Sequence, residues 1–286
     1  MVELRQKGGY DMPRMLVYFS KVTYKPQRTL FQRSFEIDVQ KVISPEKIVT
    51  RYGRPWRFSK PKIHNGYLVG KLGFMLSGTE KKVDYDEQIQ DFIEQTVDSK
   101  QSSFVFWVID LSKQVLAFEA KPPDIMYQSF KGAFEYFLRE CPDIGLTVED
   151  FVQTSKFVAW VKNMERVISF KANLRAPNPD FSKHPKIIQE ILGDTNADRA
   201  RLELTKLKDS TDSLDTEKTI KDVVKYGESG YSSIVARGKK GEQLKIFDSS
   251  KRVPLERMDI PKGIADDAKW ELIIDAHHAL HRQCHL

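Results

Sequence analysis

The sequence is poor in cysteine and has no long hydrophobic run. It contains 2 cysteines, Cys141 and Cys284, among 286 residues, which excludes a disulfide framework and is typical of a reducing cytosol. Its longest apolar runs, such as residues 104–109, are far shorter than the roughly 20 residues of a bilayer-spanning helix. The first nine residues carry charges where a signal peptide has an apolar core. We therefore expect a cytoplasmic protein without a membrane span.

The composition is that of a folded protein with a small surplus of positive charge. Hydrophobic residues make up 40% of the chain and charged residues 30%, which excludes general disorder. The length lies where one hydrophobic core gives way to two. Lysine and arginine number 46 against 40 aspartates and glutamates, a formal net charge of +6. That surplus favours a polyanionic partner.

The first part of the chain combines strand and helix patterns. Residues 14–24 are β-branched and aromatic and predict a strand, and residues 35–39 predict a second one. From Asp84 onward, apolar residues recur near helical spacing and predict a helix. The residues that make this pattern are Ile89, Phe92, Ile93 and Val97.

A hairpin and two helices are predicted next. Residues 103–121 form two apolar runs around a polar turn, which indicates a β-hairpin. A helix follows, with Asp124 as its N-cap and an end near Cys141. A second helix is predicted from Thr147, a weak capping-box residue, toward Asn163.

The pattern changes near Arg166, and from there the elements follow the order βαβαββ. This order predicts a compact unit of roughly 90 residues. We therefore expect an α+β protein with an N-terminal domain at 1–163 that holds a mixed sheet, and a βαβαββ domain at 164–255. A closing helix at 262–286 is expected to pack on the N-terminal domain.

One pattern resembles a metal-dependent nuclease. Asp110 followed by Glu119 and Lys121 has the residue types with which such enzymes hold Mg²⁺ and activate water. However, Asp110 lies at the hairpin turn and Glu119 about four residues beyond it, so the carboxylates are roughly 13 Å apart. One metal ion does not bridge that distance, and a polar turn with a strand-end charge pair is the favoured interpretation. A partner carboxylate from Asp84 or Asp86 is left open.

Three histidines near the C-terminus form a candidate metal site. His277, His281 and His285 are spaced i, i+4 and share one helix face, a spacing with which helices hold zinc. The alternative is a solvated helix end, where polar and cationic residues favour the helix dipole. We favour the second interpretation and expect no metal.

A basic segment with aromatic residues lies at 51–62. Its five basic residues suit phosphates, and its three aromatic residues suit stacking on exposed bases. The alternative is a loop in which the aromatic residues anchor to the core while the basic residues face water. The candidate binding residues are Arg51, Arg54, Trp56, Arg57, Lys60 and Lys62.

A second basic segment lies on the final hairpin of the βαβαββ unit. Its lysines and arginine suit an edge that follows a phosphate backbone, although lysines in turns are often only solubilising. The candidate binding residues are Arg237, Lys239, Lys240 and Lys245.

The layout of the chain resembles the RexA-type phage-exclusion proteins and, more loosely, the Kiwa defence component KwaB. The resemblance lies in the hairpin at 103–121 with the aromatic helix after it, in the block from Arg166, and most of all in residues 231–244. It covers about half of the chain as a pattern. It implies a cytosolic prokaryotic or phage protein that binds DNA without sequence preference, often as a dimer, in defence against phage. No site residue is transferred by motif.

These observations rank three functions. The sequence has no Walker A loop, dinucleotide-binding glycine motif, nucleophile elbow or zinc-protease motif, so a non-enzymatic, cofactor-free binder of double-stranded DNA is the leading expectation. A Mg²⁺-dependent nuclease that uses Glu119, Lys121 and a distant carboxylate is the first alternative. A subunit of a multi-protein defence complex, with a partner from the same operon, is the second.

Overall fold

A computed structural model describes the chain at residues 14–24, 34–86, 91–177, 181–207, 210–261 and 263–284, with the backbone alone at 77–86, 91–101 and 281–284. The strands in these residues are β1 (Arg14–Tyr24), β2 (Ile48–Arg51), β3 (Arg54–Phe58), β4 (Lys62–His64), β5 (Tyr67–Asp86), β6 (Asp91–Asp110), β7 (Val115–Ala120), β8 (Leu146–Asp150), β9 (Arg166–Arg175), β10 (Arg199–Thr205), β11 (Ser232–Lys240), β12 (Gln243–Asp248) and β13 (Leu255–Asp259). The helices are α1 (Phe35–Val42), α2 (Tyr127–Arg139), α3 (Thr154–Lys162), α4 (Lys186–Ile188, continued by a π-helical turn at Gln189–Gly193), α5 (Thr219–Glu228) and α6 (Asp266–Cys284).

The first sheet has the order β13-β1-β7-β6-β5-β3-β2, with β4 added to β5 and β8 added to β1. Its described pairings are antiparallel, so the expected mixed sheet is an antiparallel one. The predicted first strand and the hairpin at 103–121 are confirmed, with Asp110 opposite Val115 at the turn. The α+β class is confirmed as well.

Helices cover both faces of this sheet. On one face α2 packs by an aromatic cluster, in which the rings of Phe118 and Phe130 stack with centres 3.9 Å apart. On the other face α6 packs against the sheet. The ring of Trp270 meets Phe106 edge-on at 5.8 Å, and its indole N–H donates to the carbonyl of Gly70 at 3.2 Å.

Two glycines in β5 lie beneath aromatic residues of β6. Gly70 pairs with Trp107 and Gly73 pairs with Phe104 across the strands. A Cβ atom on Gly70 would lie 2.6 Å from the Trp107 ring, and one on Gly73 would lie 2.6 Å from the Cβ of Phe104. Glycine at these two positions therefore lets large rings cross the neighbouring strand.

The second sheet has the order β10-β9-β11-β12 and is antiparallel. The predicted order βαβαββ is present from β9 to β12. One face is buried under helices, and residues of α3 and α5 such as Phe157 and Val223 belong to that core. Because α3 packs here, the second core begins at Val152, about ten residues before the predicted boundary at 163.

A part-buried ion pair joins the two sheets. Arg175 of β9 contacts Glu149 of β8 at 2.6 Å and donates to the Thr147 hydroxyl at 3.0 Å. Burial raises the pKa of Glu149, although the Arg175 guanidinium opposes that rise. Next to it, Lys131 of α2 contacts Asp150 at 2.6 Å and holds β8 against α2. The Arg175 contacts thus connect the end of β9 in the second sheet to β8 in the first.

Four predictions of local structure are wrong. The helix expected from Asp84 is strand, because β5 and β6 pair continuously out to Asp86 and Asp91, and Ile89 lies outside the described residues. The strand expected at 35–39 is helix α1, in which the Ser34 hydroxyl accepts from the Ile37 N–H at 3.3 Å.

The helix expected from Thr147 begins as a strand. Residues 146–150 form β8, which pairs with β1 and buries Val148 opposite Val22. The helix proper, α3, starts only at Thr154. The helix expected to be capped by Asp124 starts at Tyr127, and its cap residue Met126 makes no side-chain hydrogen bond to the helix. Tertiary pairing outweighs local propensity at both places.

Candidate nucleic-acid interface

The first basic segment is divided between two faces of the sheet. It forms a hairpin whose turn, Tyr52-Gly53, has positive φ at both residues, and strand alternation then places Arg54 and Arg57 on opposite sides. Trp56 is fully buried, and its indole N–H donates to the carbonyl of Arg51 at 3.1 Å. The expectation that Trp56 stacks on nucleic acid is therefore wrong, and its role is to anchor the hairpin.

Two arginines of this segment hold the hairpin against α2. The Arg54 guanidinium donates to the carbonyl of Asp124 at 2.7 Å and lies 4.3 Å from the centre of the Phe74 ring. Arg51 lies 5.9 Å from the ring centre of Tyr136 in α2 and 4.9 Å from that of Tyr52. These contacts are structural ones on the α2 side.

The remaining basic residues of the segment are exposed. Arg57, Lys60 and Lys62 are all open to solvent, and the Lys62 ammonium lies 5.4 Å from the ring centre of Trp270 in α6. This places Lys62 on the α6 side of the sheet. Strand alternation directs Arg57 to the same side.

The second basic segment lies on β11 and β12. Arg237 pairs with Ile246 and Lys239 with Leu244, whereas Lys245 pairs with Gly238. Because side chains alternate along a strand, Arg237 and Lys239 lie on the face away from the helices, and Lys245 lies on the side of buried Phe247. Lys240 is exposed beside the turn. The segment therefore does not form one continuous surface.

Three cations from three adjacent strands meet on the open face of the second sheet. Lys171 of β9, Arg201 of β10 and Arg237 of β11 surround a depression of about 250 Å³. Its other lining residues are Ser169, Asn173, Ser233 and Val235. We call these seven residues the basic sheet face.

The charge of the basic sheet face is only partly compensated. Glu203 contacts Lys171 at 2.6 Å and Arg201 at 3.3 Å, and the hydrogen bond from Lys171 lowers the pKa of the Glu203 carboxyl. In the part of the chain that the structure describes, Arg237 forms no ion pair within 4.0 Å. Three cations thus face one carboxylate at the surface, and the excess charge remains available to an anion.

Arg237 is recognisable from the sequence as a basic residue of the final hairpin, whereas Lys171 and Arg201 are not. The alternation of polar and apolar residues in β9, where Lys171 stands between Phe170 and Ala172, marks Lys171 as a residue of an open face. The strand order β10-β9-β11, which brings the three cations together, is not encoded in any local pattern.

The nuclease residues lie apart. The Phe106 N–H donates to the Glu119 carboxylate at 3.2 Å, and burial raises the pKa of Glu119. Asp110 is at the turn, where its Oδ1 accepts from the N–H groups of Ser112 and Lys113, both at 2.9 Å. Lys121 forms a backbone bridge with Ile125. The distance argument from the sequence is consistent with this placement.

The open alternative with Asp84 or Asp86 also lacks support in the geometry. Asp84 pairs with Ile93, which is thirteen residues along β6 from Phe106, on the order of 40 Å at about 3.3 Å per residue. No group of three histidine, cysteine, aspartate or glutamate side chains in the described ranges is arranged to hold a metal ion.

His277 is a buried residue and not part of a solvated helix end. Its Nδ1 lies 3.1 Å from the Tyr67 hydroxyl and 3.9 Å from the Asp110 carboxylate. Burial raises the pKa of Tyr67 to about 12. The side chain of His281 and the whole of His285 lie outside the described residues, so the zinc hypothesis for this trio stays a prediction.

The two sheets, each backed by helices, define an α+β protein whose second unit has an open, basic sheet face. A family model described as a domain of unknown function, DUF4747, matches residues 28–266. Because the match spans most of the chain, the protein belongs to the DUF4747 family. No curated protein matches the sequence. None of the helices in the described ranges has both the length and the hydropathy of a membrane span.

Proposed function

We propose that this protein binds nucleic acid without sequence preference through the basic sheet face, and that it does so without catalysis. The observation that supports this most directly is the meeting of Lys171, Arg201 and Arg237 around one depression, in which Glu203 forms ion pairs with the first two. By the register, Arg201 lies opposite Asn173 and Arg237 opposite Ser169, so each is offset by two residues from Lys171 and is roughly 8 Å from it. One strand of B-DNA carries a phosphate every 3.4 Å along the axis, so three cations spread over roughly 16 Å would follow several phosphates of one strand.

The polar residues of the basic sheet face suit contact with the sugar–phosphate backbone of a nucleic acid. Ser169 and Ser233 offer hydroxyl donors, and Asn173 donates to the Ser233 hydroxyl at 3.3 Å. The residues that line the depression include no aromatic ring and no acid. Phosphate contacts position a protein on a duplex, whereas base-edge contacts specify sequence, so this composition favours sequence-independent binding.

The proposal also includes the other expectations that the resemblance to RexA-type proteins implies. They are double-stranded DNA as the partner, antiviral defence as the process and a homodimer as the assembly. Each follows from the resemblance of the layout to RexA-type proteins, and the basic sheet face is compatible with each.

The test is equilibrium binding to two duplexes of equal length and unrelated sequence. The variant is Arg201→Gln with Arg237→Gln. The matched control, Lys156→Gln with Lys225→Gln, removes the same charge from exposed positions on α3 and α5, on the helix side of the same unit.

We expect the face variant to bind both duplexes about tenfold more weakly than the control, since phosphate contacts act uniformly across sequences. A loss of affinity for only one of the two duplexes would mean that the protein recognises base edges. Equal affinities of variant and control, or no binding at low salt, would refute the proposal.

A further inference from the structure

A groove lies on the first sheet beside the N-terminus of α6. It is formed where β3, β5 and β6 run side by side and has a volume of about 320 Å³. Its lining includes Ile48, Arg57, Lys71, Met75 and Phe104. We call it the β5–β6 groove, and the basic sheet face is not part of it.

The groove exposes apolar side chains that a sheet normally buries. Phe104 is 45% exposed, Met75 54% and Ile48 49%. Phe104 lies across Gly73, where no side chain competes for the space, and it meets the Phe106 ring edge-on with centres 5.7 Å apart. The Phe104 ring is thus held by Phe106 and remains partly open to solvent. Together with Met75 and Ile48 it forms an exposed apolar patch, a feature typical of interaction sites.

Cations border the same ring. The Lys71 ammonium lies 4.8 Å from the centre of the Phe104 ring, and Arg57 lines the groove on the neighbouring strand. Lys269 of α6 lies 4.7 Å from the centre of the Phe106 ring. Asp266 forms an ion pair with Lys71, and Lys269 interacts electrostatically with the Glu119 carboxylate. Among the described residues, Arg57 and Lys71 are therefore the cations that line the groove beside the exposed Phe104 ring.

We infer that the β5–β6 groove binds an unpaired nucleotide of a single strand, with its base stacked on Phe104 and its flanking phosphates on Arg57 and Lys71. Proteins that bind single strands combine an aromatic platform with a positively charged groove, and both features are present here. The inference rests on the proposed function for the class of partner, and it adds a second contact with a different specificity. The stacking role that the sequence suggested for Trp56 thereby passes to Phe104.

The experiment uses a single strand of about 12 nucleotides that carries one 2-aminopurine, whose fluorescence is quenched when its base stacks. Phe104→Leu keeps an apolar side chain and removes the ring, whereas Phe104→Tyr keeps the ring. Tyr52→Leu is the matched control, because Tyr52 is an exposed ring beside an arginine outside the groove. Circular dichroism checks that each variant is folded.

We expect quenching with the wild type, Phe104→Tyr and Tyr52→Leu, and an affinity for the single strand at least about fivefold weaker in Phe104→Leu. Affinity for a blunt duplex should be the same in all four proteins. Arg57→Gln should flatten the salt dependence of single-strand binding by about 0.7.

Other outcomes overturn the inference in distinct ways. Unchanged single-strand affinity in Phe104→Leu would mean that the groove takes another partner, such as an acidic peptide, and loss in Tyr52→Leu would locate stacking elsewhere. A parallel loss of duplex affinity in Phe104→Leu would make the groove a general contact. Failure of the Arg201 and Arg237 variant to weaken duplex binding would refute the proposed function while leaving the result for the groove intact.

Discussion

Replacement of Trp56 tests whether this residue anchors the hairpin to the core or stacks on nucleic acid. A fully buried indole removes roughly 200 Å² of surface from water, and about 25 cal/mol per Å² gives about 5 kcal/mol. That is the upper end of the range for large-to-small substitutions of aromatic residues. Trp56 also donates one hydrogen bond to Arg51 and meets the Phe74 ring edge-on, with centres 5.4 Å apart. Trp56→Ala should therefore lose about 4 to 5 kcal/mol, a large part of the total stability of a typical domain.

The assay is urea unfolding by linear extrapolation, with nucleic-acid binding measured on the folded fraction. Trp56→Phe retains most of the apolar contact and loses the indole donor, so we expect a loss of about 1 to 2 kcal/mol and unchanged affinity. The anchoring role is refuted if the free energy of unfolding of Trp56→Ala lies within about 1 kcal/mol of the wild-type value while its affinity for nucleic acid falls tenfold. That combination would mean that the Trp56 ring is exposed and stacks on bases.

Two further predictions concern titratable groups near the turn of the β6–β7 hairpin. Burial raises the pKa of Asp110, but the hydrogen bonds from Ser112 and Lys113 and the nearby His277 outweigh it, so the pKa lies below its ordinary value. Unfolding free energies should show that Asp110→Ala costs about 3 kcal/mol at neutral pH and Asp110→Asn, which keeps the Oδ1 acceptor, about 1. As the pH falls through the folded pKa, the wild type should lose more stability than either variant, because only the wild type has the Asp110 carboxylate to protonate; equal costs for the two variants would contradict this. Burial lowers the pKa of Lys21 to about 8, so the unfolded chain alone holds that proton between about pH 8 and 10.5, and the free energy of unfolding should rise with pH there. That rise should disappear in Lys21→Met and persist in Lys113→Met, and the same rise in both variants would contradict the assignment.

The sequence predicts elements well where a short β-branched or apolar run is bounded by polar or turn residues. The strand at 14–24 and the hairpin at 103–121 are such runs and are present as predicted. The βαβαββ order after Arg166 is also present, because each of its elements is bounded by glycine, proline or a polar turn. These are signals that a single segment carries.

The failures occur where a distant segment decides the structure. The residues from Asp84 have apolar positions compatible with both a helical and an alternating pattern, and continuous pairing of β5 with β6 selects the strand. Thr147 satisfies a helix-start pattern, yet pairing with β1 makes it part of a strand. Intrinsic propensity is a weak guide when such pairing is available.

In the candidate site, too, some residues are predictable from the local sequence and others depend on distant segments. Arg237 was found from the sequence because it lies in a run of basic residues. Lys171 and Arg201 lie far from it along the chain and join it only through the strand order. The exposed ring of Phe104 lies in an apolar run that predicts only a strand. Clusters of this kind are properties of topology.

The salt dependence of duplex binding tests the central claim most directly. Each phosphate contact contributes about 0.9 to the slope of log affinity against log salt concentration. The variant with Arg201→Gln and Arg237→Gln should therefore show a slope flatter than that of the wild type by about 1.8, whereas Lys156→Gln with Lys225→Gln should leave the slope unchanged. Identical slopes for the wild type and the face variant would contradict the assignment of nucleic-acid binding to the basic sheet face.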